Sequence, residues 1–232
     1  MYKEIKSVGF VCDGNRRWAL ENGMKKTDGH KVGFDNIVNV TNWAKEEKIQ
    51  DLTFYVFSTE NWNRSKMEVK ILMKLFEKLF EDWTRGVFKS LDAKVKFVGR
   101  RSDFSKKNQK IMSNLEEETK NNKSINVYFA ASYGGRAEIV DGVKELVKTK
   151  TKKELEKLSE KEFEKFLWTK NLNDPEIVVR TGGDKRLSNF LLWKAAYSEI
   201  YFTKTKWPAF SKKEFKKILK DYRENTKVNK GK

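Results

Sequence analysis

The sequence predicts a single α/β domain over residues 1–232, with a mostly parallel central sheet of about six strands flanked by helices. Three observations predict it. Short apolar runs alternate with longer stretches whose apolar residues recur at helical spacing. No Pro-, Gly- or Ser-rich linker interrupts that alternation, and only Pro175 and Pro208 punctuate the chain. A length of 232 residues suits one large domain, and no internal repeat divides it.

Residues 7–12 are the first expected strand, and 33–47 a helix with Phe34, Ile37, Val38 and Trp43 roughly on one side. Residues 52–58, rich in aromatic and β-branched side chains, form the second strand. From 69 to 87 the apolar residues Val69, Leu72, Met73, Phe76, Phe80, Trp83 and Val87 keep helical spacing through one long element. A third strand is expected at 95–98, a polar helix at 105–121 and a strand at 125–131. A Gly-Gly turn then leads into a helix carrying Ile139, Val140, Val143 and Val147. A further helical stretch runs over 152–168. Residues 177–179 and 199–202 are the last strands, separated by an apolar segment at 187–196. A helix at 212–223 follows, with a frayed tail after Asn225.

Fifty Lys and Arg against 33 Asp and Glu give a net charge of +17, while 38% of residues are hydrophobic and 13% aromatic. Such a chain buries a core and is not a disordered polyelectrolyte. The apolar run at 7–12 is too brief for a signal-peptide core, and nothing approaches the roughly 18 apolar residues of a membrane span. A cytoplasmic protein that does not span the membrane is expected. Cys12 is the only cysteine and His30 the only histidine, so neither an internal disulfide nor a Cys/His zinc cluster is expected. The excess of cations leaves polyanions as partners: nucleic acid, an anionic membrane surface or phosphorylated small molecules.

Right-handed crossovers place the loops after parallel strands on one sheet edge, where open α/β folds hold their ligands. Six of the ten arginines (16, 17, 64, 136, 180, 186) fall in four such loops, although Lys outnumbers Arg fourfold. That bias favours recognition over solvation. Asp13-Gly14-Asn15-Arg16-Arg17-Trp18 sets a carboxylate, a glycine and two guanidiniums at a strand-to-helix transition, which suits a phosphate with a divalent cation. A surface turn capped by Asp13 is the alternative. The loop from Arg180 to Ser188 carries three cations and opens an expected apolar helix. It suits a second anionic group, because Arg offers forked donors to phosphate oxygens; a basic turn without a ligand is the alternative. His30, expected just before a helix, suits either a phosphate donor or a helix cap. Cys12 reads as a small buried residue without chemistry. Glu199 lies among Tyr197, Ile200 and Tyr201, where a carboxylate needs a cation or hydrogen bonds to offset desolvation, and it is a candidate metal contact.

These motifs, together with Gly29-His30, the stretch Phe57-Ser58-Thr59-Glu60-Asn61-Trp62-Asn63-Arg64, Tyr133-Gly134-Gly135-Arg136, and Tyr197, Glu199 and Trp207-Pro208, resemble the cis-prenyltransferase (undecaprenyl diphosphate synthase) family. The likeness runs in order over nearly the whole chain. It implies an enzyme, active as a homodimer, that adds isopentenyl diphosphate to an allylic diphosphate such as farnesyl diphosphate. The product would be a long-chain polyprenyl diphosphate of the undecaprenyl type, growing into an apolar tunnel with Mg2+ as cofactor. On this resemblance Asp13 coordinates Mg2+ with Glu199 and assists departure of the allylic diphosphate, which Gly14, Asn15, Arg16, Arg17, Trp18, Lys26 and His30 hold. Ser58, Thr59, Glu60, Trp62 and Arg64 line the reacting ends, and Arg180, Arg186, Leu187 and Ser188 take isopentenyl diphosphate. Asn61 matches the position usually described as the proton acceptor, but a neutral amide is a weak base and a relay to a diphosphate oxygen is chemically easier. Phe76, Phe80 and Trp83 are core residues on their spacing alone, and on the resemblance some of them face the lipid tail.

The sequence departs from the family pattern at Lys26, Ser132, Asp184 and Ala209, where Arg, Asn, Glu and Asp are usual, without removing a main catalytic group. The basic end at 227–232 only loosely matches the family's Arg-rich terminus. A nucleic-acid-binding domain is the competing class, but no such motif occurs and the arginines sit in loops rather than along a stripe. A non-catalytic partner subunit would not need Asp13, Asn61, Arg180, Arg186 and Glu199. The positive charge further suggests peripheral, reversible contact with anionic lipid.

Overall fold

The structure, a computed structural model, describes residues 4–225. The basic end at 227–232, and the fraying expected after Asn225, fall outside them.

Six strands form one sheet in the order β3-β4-β2-β1-β5-β6, and every neighbouring pair is parallel. β1 (Ser7–Val11), β2 (Asp51–Ser58), β4 (Ile125–Tyr133) and β5 (Ile177–Arg180) occupy the interior, while β3 (Ala93–Val98) and β6 (Glu199–Phe202) are the edges. Interior strands are covered on both faces, so they read as continuous apolar runs. β1 and β5 are buried at every position. The edge strand β6 shows no buried residue.

The helices cover both faces. α1 (Asn15–Glu21) and α2 (Lys26–Glu46) follow β1, α3 (Lys66–Asp82) follows β2, and the short α4 (Phe88–Ser90) leads into β3. α5 (Lys106–Thr119) returns to β4, α6 (Gly135–Thr149) leaves it, α7 (Lys152–Leu155) and α8 (Glu160–Glu164) precede β5, and α9 (Lys212–Asn225) ends the described chain. One face of the sheet carries an aromatic core centred on Phe129, which stacks against Phe54 at 6.2 Å and Trp83 at 5.4 Å. Truncating a fully buried ring of this kind to Ala destabilises by about 3–5 kcal/mol.

Four local expectations are corrected. α2 starts at Lys26 rather than 33, which places His30 inside the helix; Lys25 and Asp28 exchange capping contacts at its start. α3 ends at Asp82, and a wider turn at Trp83–Val87 follows, where Gly86 takes φ 141. The stretch 152–168 is not one helix, because Ser159 opens a second capping box before α8. The apolar segment 187–196 is not a helix either: Ser188, Asn189 and Leu191 have φ of 49, 67 and 45, which no right-handed helix contains.

Candidate active site

The loops after β1, β2 and β5 converge on one cavity of about 860 Å³ at the carboxyl edge of the sheet. Asp13 is its hub. The backbone N–H of Asp13 donates to Thr181 Oγ1 at 3.0 Å, and the Thr181 hydroxyl donates to the Asp13 carbonyl at 2.8 Å, so the first loop is tied to the end of β5. Gly14 sits at φ 100, and a Cβ there would lie 2.8 Å from Lys206 Cβ, so only glycine fits this turn. The Asp13 carboxylate accepts from Arg180 Nη2 at 2.9 Å through one oxygen and from Arg17 Nη2 at 3.2 Å through the other.

Arg180 is buried, at 4% exposure, and its guanidinium organises the second loop. Its Nη1 donates to the Arg186 carbonyl and to Ser188 Oγ, both at 2.6 Å, and its Nη2 also meets Asp184. Arg186 donates to the same Asp184 oxygen at 2.6 Å. The Arg180 Nε is buried without a hydrogen-bond partner, an unmet donor beside the cavity.

Across the mouth, Glu68 of α3 accepts from Arg16 at 2.8 Å and from Arg64 at 3.1 Å. His30 lies within the field of these groups. Burial, then the nearby Arg64 and Arg16 charges, lower its pKa to about 4 against the weaker opposing pull of Glu68. The imidazole is therefore neutral near pH 7. Burial and the Asp13 charge push the Cys12 thiol up, which keeps it unreactive.

The 3₁₀ turn Thr59–Asn63 presents Glu60 and Asn61 to the cavity. Asn61 Oδ1 accepts from the Ser58 N–H at 3.1 Å, so this oxygen already has a donor. Below the polar mouth the lining turns apolar, with Phe34, Ile37, Val56, Phe57, Leu72 and Phe76. Phe80 and Trp83 are not part of it; they pack behind Phe76 in the core.

Asp13, Gly14, Asn15, Arg16, Arg17, Lys26, His30, Ser58, Glu60, Asn61, Arg64, Arg180, Arg186 and Ser188 all line this cavity. Trp18, Thr59, Trp62, Leu187 and Glu199 do not. Trp62 is held edge-on between Phe57 and Phe104 and donates to Ser132 Oγ at 2.8 Å, so it braces its loop from behind. Glu199 pairs in register with Ile177, three residues before the Arg180–Phe202 pair, which sets it roughly 10 Å back from the site edge of its own chain. It is also exposed on an edge strand, so the desolvation argument that nominated it does not hold. Sequence reasoning missed Tyr55 and Asn189, both in the lining. The only local signal for Asn189 is the tolerance of Asn for left-handed backbone.

The family model of the undecaprenyl diphosphate synthases, of the prenyltransferase class, matches residues 11–229. An isoprenyl transferase of Fusobacterium nucleatum is 41% identical over 225 residues, covering 96% of this chain and 94% of that protein. Lavandulyl diphosphate synthase from Lavandula x intermedia, solved with dimethylallyl diphosphate, superposes with a TM-score of 0.89 at 30% identity, covering 96% of this chain and 97% of its own. A probable undecaprenyl diphosphate synthase from Campylobacter jejuni gives a TM-score of 0.83 at 32% identity, covering 99% and 100%.

Proposed function

The chain belongs to the undecaprenyl diphosphate synthase family of prenyltransferases, and from that premise we propose how its cavity performs the family's condensation. The reaction joins isopentenyl diphosphate to an allylic diphosphate such as farnesyl diphosphate, releases diphosphate and builds a polyprenyl diphosphate. The observation that carries the assignment of the site is the continuity of one cavity from two cationic loops to an apolar interior. Each substrate pairs a diphosphate with a hydrocarbon, and the cavity has the same two ends.

In this scheme the allylic diphosphate lies against Arg16, Arg17, Lys26 and Arg64, with its tail between Phe34, Ile37, Leu72 and Phe76. Isopentenyl diphosphate is taken by Arg180, Arg186 and Ser188. As the allylic C–O bond breaks, charge gathers on the leaving diphosphate, and the guanidiniums set around it stabilise that charge. The isopentenyl double bond then attacks the allylic carbon, a C–C bond forms, and one proton leaves the new unit. Asn61 is weakly basic and its amide oxygen already accepts from Ser58, so we assign the proton to a diphosphate oxygen and give Asn61 an orienting role.

Mg2+ fits this donor set as an ion carried largely by substrate. No cluster of three His, Cys, Asp or Glu exists among the described residues. One carboxylate with phosphate oxygens is nonetheless a normal Mg2+ environment. Asp13 would hold the ion. When bound, it neutralises charge on the departing diphosphate. Arg17 and Arg180, which now pair with Asp13, are the donors a diphosphate competes for.

The homodimer is supported by Val140, Val143 and Val147, an exposed stripe along α6 that a second copy could cover. Peripheral membrane contact is supported by the exposed apolar side chains of Leu20, which lines the cavity, and of Met24, Met67 and Ile71, in a chain with net charge +17. No helix of the described residues is long and apolar enough to cross a membrane. A cytoplasmic protein that docks reversibly on lipid fits both facts. The deciding experiment supplies labelled isopentenyl diphosphate, farnesyl diphosphate and Mg2+ and resolves products by chain length. Labelled polyprenyl diphosphate is expected, and no incorporation with any allylic primer would overturn the function.

A further inference from the structure

Two post-strand loops of the site and the start of α6 meet at Asn189, a residue that neither the cationic loops nor the metal carboxylate account for. Its side-chain Nδ2 donates to Glu60 Oε1 at 2.8 Å, reaching the turn after β2. Its Oδ1 accepts from the Arg136 N–H at 2.9 Å, and its main-chain carbonyl accepts from the Gly135 N–H at 2.7 Å, both in the first turn of α6 just after β4. The residue before it, Ser188, receives Arg180 Nη1 at 2.6 Å in the loop after β5. The approach is tight: a Cβ on Gly134 would lie 2.5 Å from Thr59 Oγ1 and 2.7 Å from Asn189 Nδ2. Asn189 itself is at φ 67, a conformation that Asn and Gly adopt more readily than other residues.

We infer that Asn189 is a positioning residue that fixes the spacing between the Arg180–Ser188 loop and the Glu60–Asn61 turn, and so aligns the two substrates. This rests on the proposed assignment of those loops. The physical ground is that Asn189 is uncharged and that its amide nitrogen, amide oxygen and main-chain carbonyl each already have a protein partner, so its side chain is committed to holding the loops rather than to a diphosphate. Its effect must come through geometry. Misplacing one reacting end by about 1 Å can slow a two-substrate step by about 100-fold without weakening either substrate's binding.

Asn189→Gly tests this, because glycine keeps the left-handed backbone and the carbonyl bond to Gly135 while deleting both side-chain links. Asn189→Asp is the companion variant: it keeps the acceptor for Arg136 but sets a carboxylate against Glu60. Both should lower kcat by about 10- to 100-fold while the KM for isopentenyl diphosphate stays within about threefold. In the substrate-free proteins, amide exchange across residues 58–64 should speed up by about tenfold, while the core strands stay protected. A raised KM with unchanged kcat would make Asn189 a substrate ligand and overturn the inference. So would unchanged exchange across 58–64, or an Asn189→Asp enzyme as fast as the parent. If the parent protein itself incorporates no isopentenyl diphosphate, the functional assignment fails, while the exchange measurement still decides whether Asn189 holds the loops.

Discussion

The two cationic loops of the site, both proposed here to hold a diphosphate, differ in construction. The loop after β1 is shaped by its backbone: Gly14 turns at φ 100, α1 begins at the next residue, and Arg17 stands exposed at its surface. The loop after β5 is shaped by a side chain. Arg180 is buried, and its guanidinium holds the Arg186 carbonyl, Ser188, Asp13 and Asp184 at once. In the first loop a guanidinium can be subtracted without moving the chain. In the second the cation is itself the scaffold, so binding and loop geometry are lost together.

The largest expected effect comes where the two constructions meet. Asp13→Ala removes the carboxylate shared by Arg17 and Arg180 and should lower turnover by about 1,000-fold or more, with a cooperative melt retained. Near-normal turnover would remove Asp13 from the chemistry. Next comes the direct contrast between the loops. Arg180→Ala should weaken isopentenyl diphosphate by about 10- to 100-fold, since each lost charged hydrogen bond is worth about 1.5–3 kcal/mol, and should also lower the melting temperature. Arg17→Ala should weaken only the allylic substrate, by about tenfold or more, and should leave the melting temperature nearly unchanged, because its exposed ion pair contributes about 0–1 kcal/mol to the free protein. Equal losses of stability in the two variants would collapse the distinction.

Gly14→Ala sharpens the same contrast from the backbone side. Forcing a side chain onto φ 100 should destabilise by about 1–3 kcal/mol, read as a lower denaturant midpoint, whereas the first loop's arginine variants should melt normally. The smallest effect is a proton. In the free protein His30 stays neutral down to about pH 4, while an unfolded histidine protonates near 6.5. The unfolded chain therefore binds the proton first, and this residue's contribution to stability falls as pH drops from about 6.5 to 4. A diphosphate beside the ring reverses the balance by favouring the imidazolium. Binding at about pH 5.5 should then take up a fraction of a proton, seen as calorimetric heats that change with the buffer's ionisation enthalpy, and His30→Gln should abolish it. No uptake would place the diphosphate away from His30.

What the sequence shows and hides follows from the same physics. The buried strands were legible because burial on both faces leaves only apolar residues, as in the run ending at Val11. The first loop was legible because a carboxylate, a glycine and two arginines stand side by side. The start of α2 was not: Lys26 to Val32 is mostly polar, and the helix is fixed there by packing on α1, where a Cβ on Gly29 would fall 2.0 Å from the Asn15 carbonyl. Segment 187–196 looked like an apolar helix because nothing in Ser188 or Leu191 announces a left-handed backbone. The exposure of Glu199 was hidden for a related reason. Which strand lies at a sheet edge, and in what register, is a tertiary outcome that local sequence does not encode.

Phe76 has a wider consequence. It is the last ring of α3 to touch the cavity, and it stacks on Phe80 at 5.7 Å, which in turn meets Phe129 at the centre of the core. The wall against which a growing hydrocarbon would stop is thus one aromatic layer thick, with the fold's own interior behind it. A ruler made of spare side chains could be recut freely. Here each substitution that deepens the cavity also thins the core, at about 3–5 kcal/mol for a lost ring, against a total folding stability typically of about 5–15 kcal/mol. Variants with altered product length should therefore emerge from thermally robust backgrounds, and in a lineage a stabilising change elsewhere should precede the change in length.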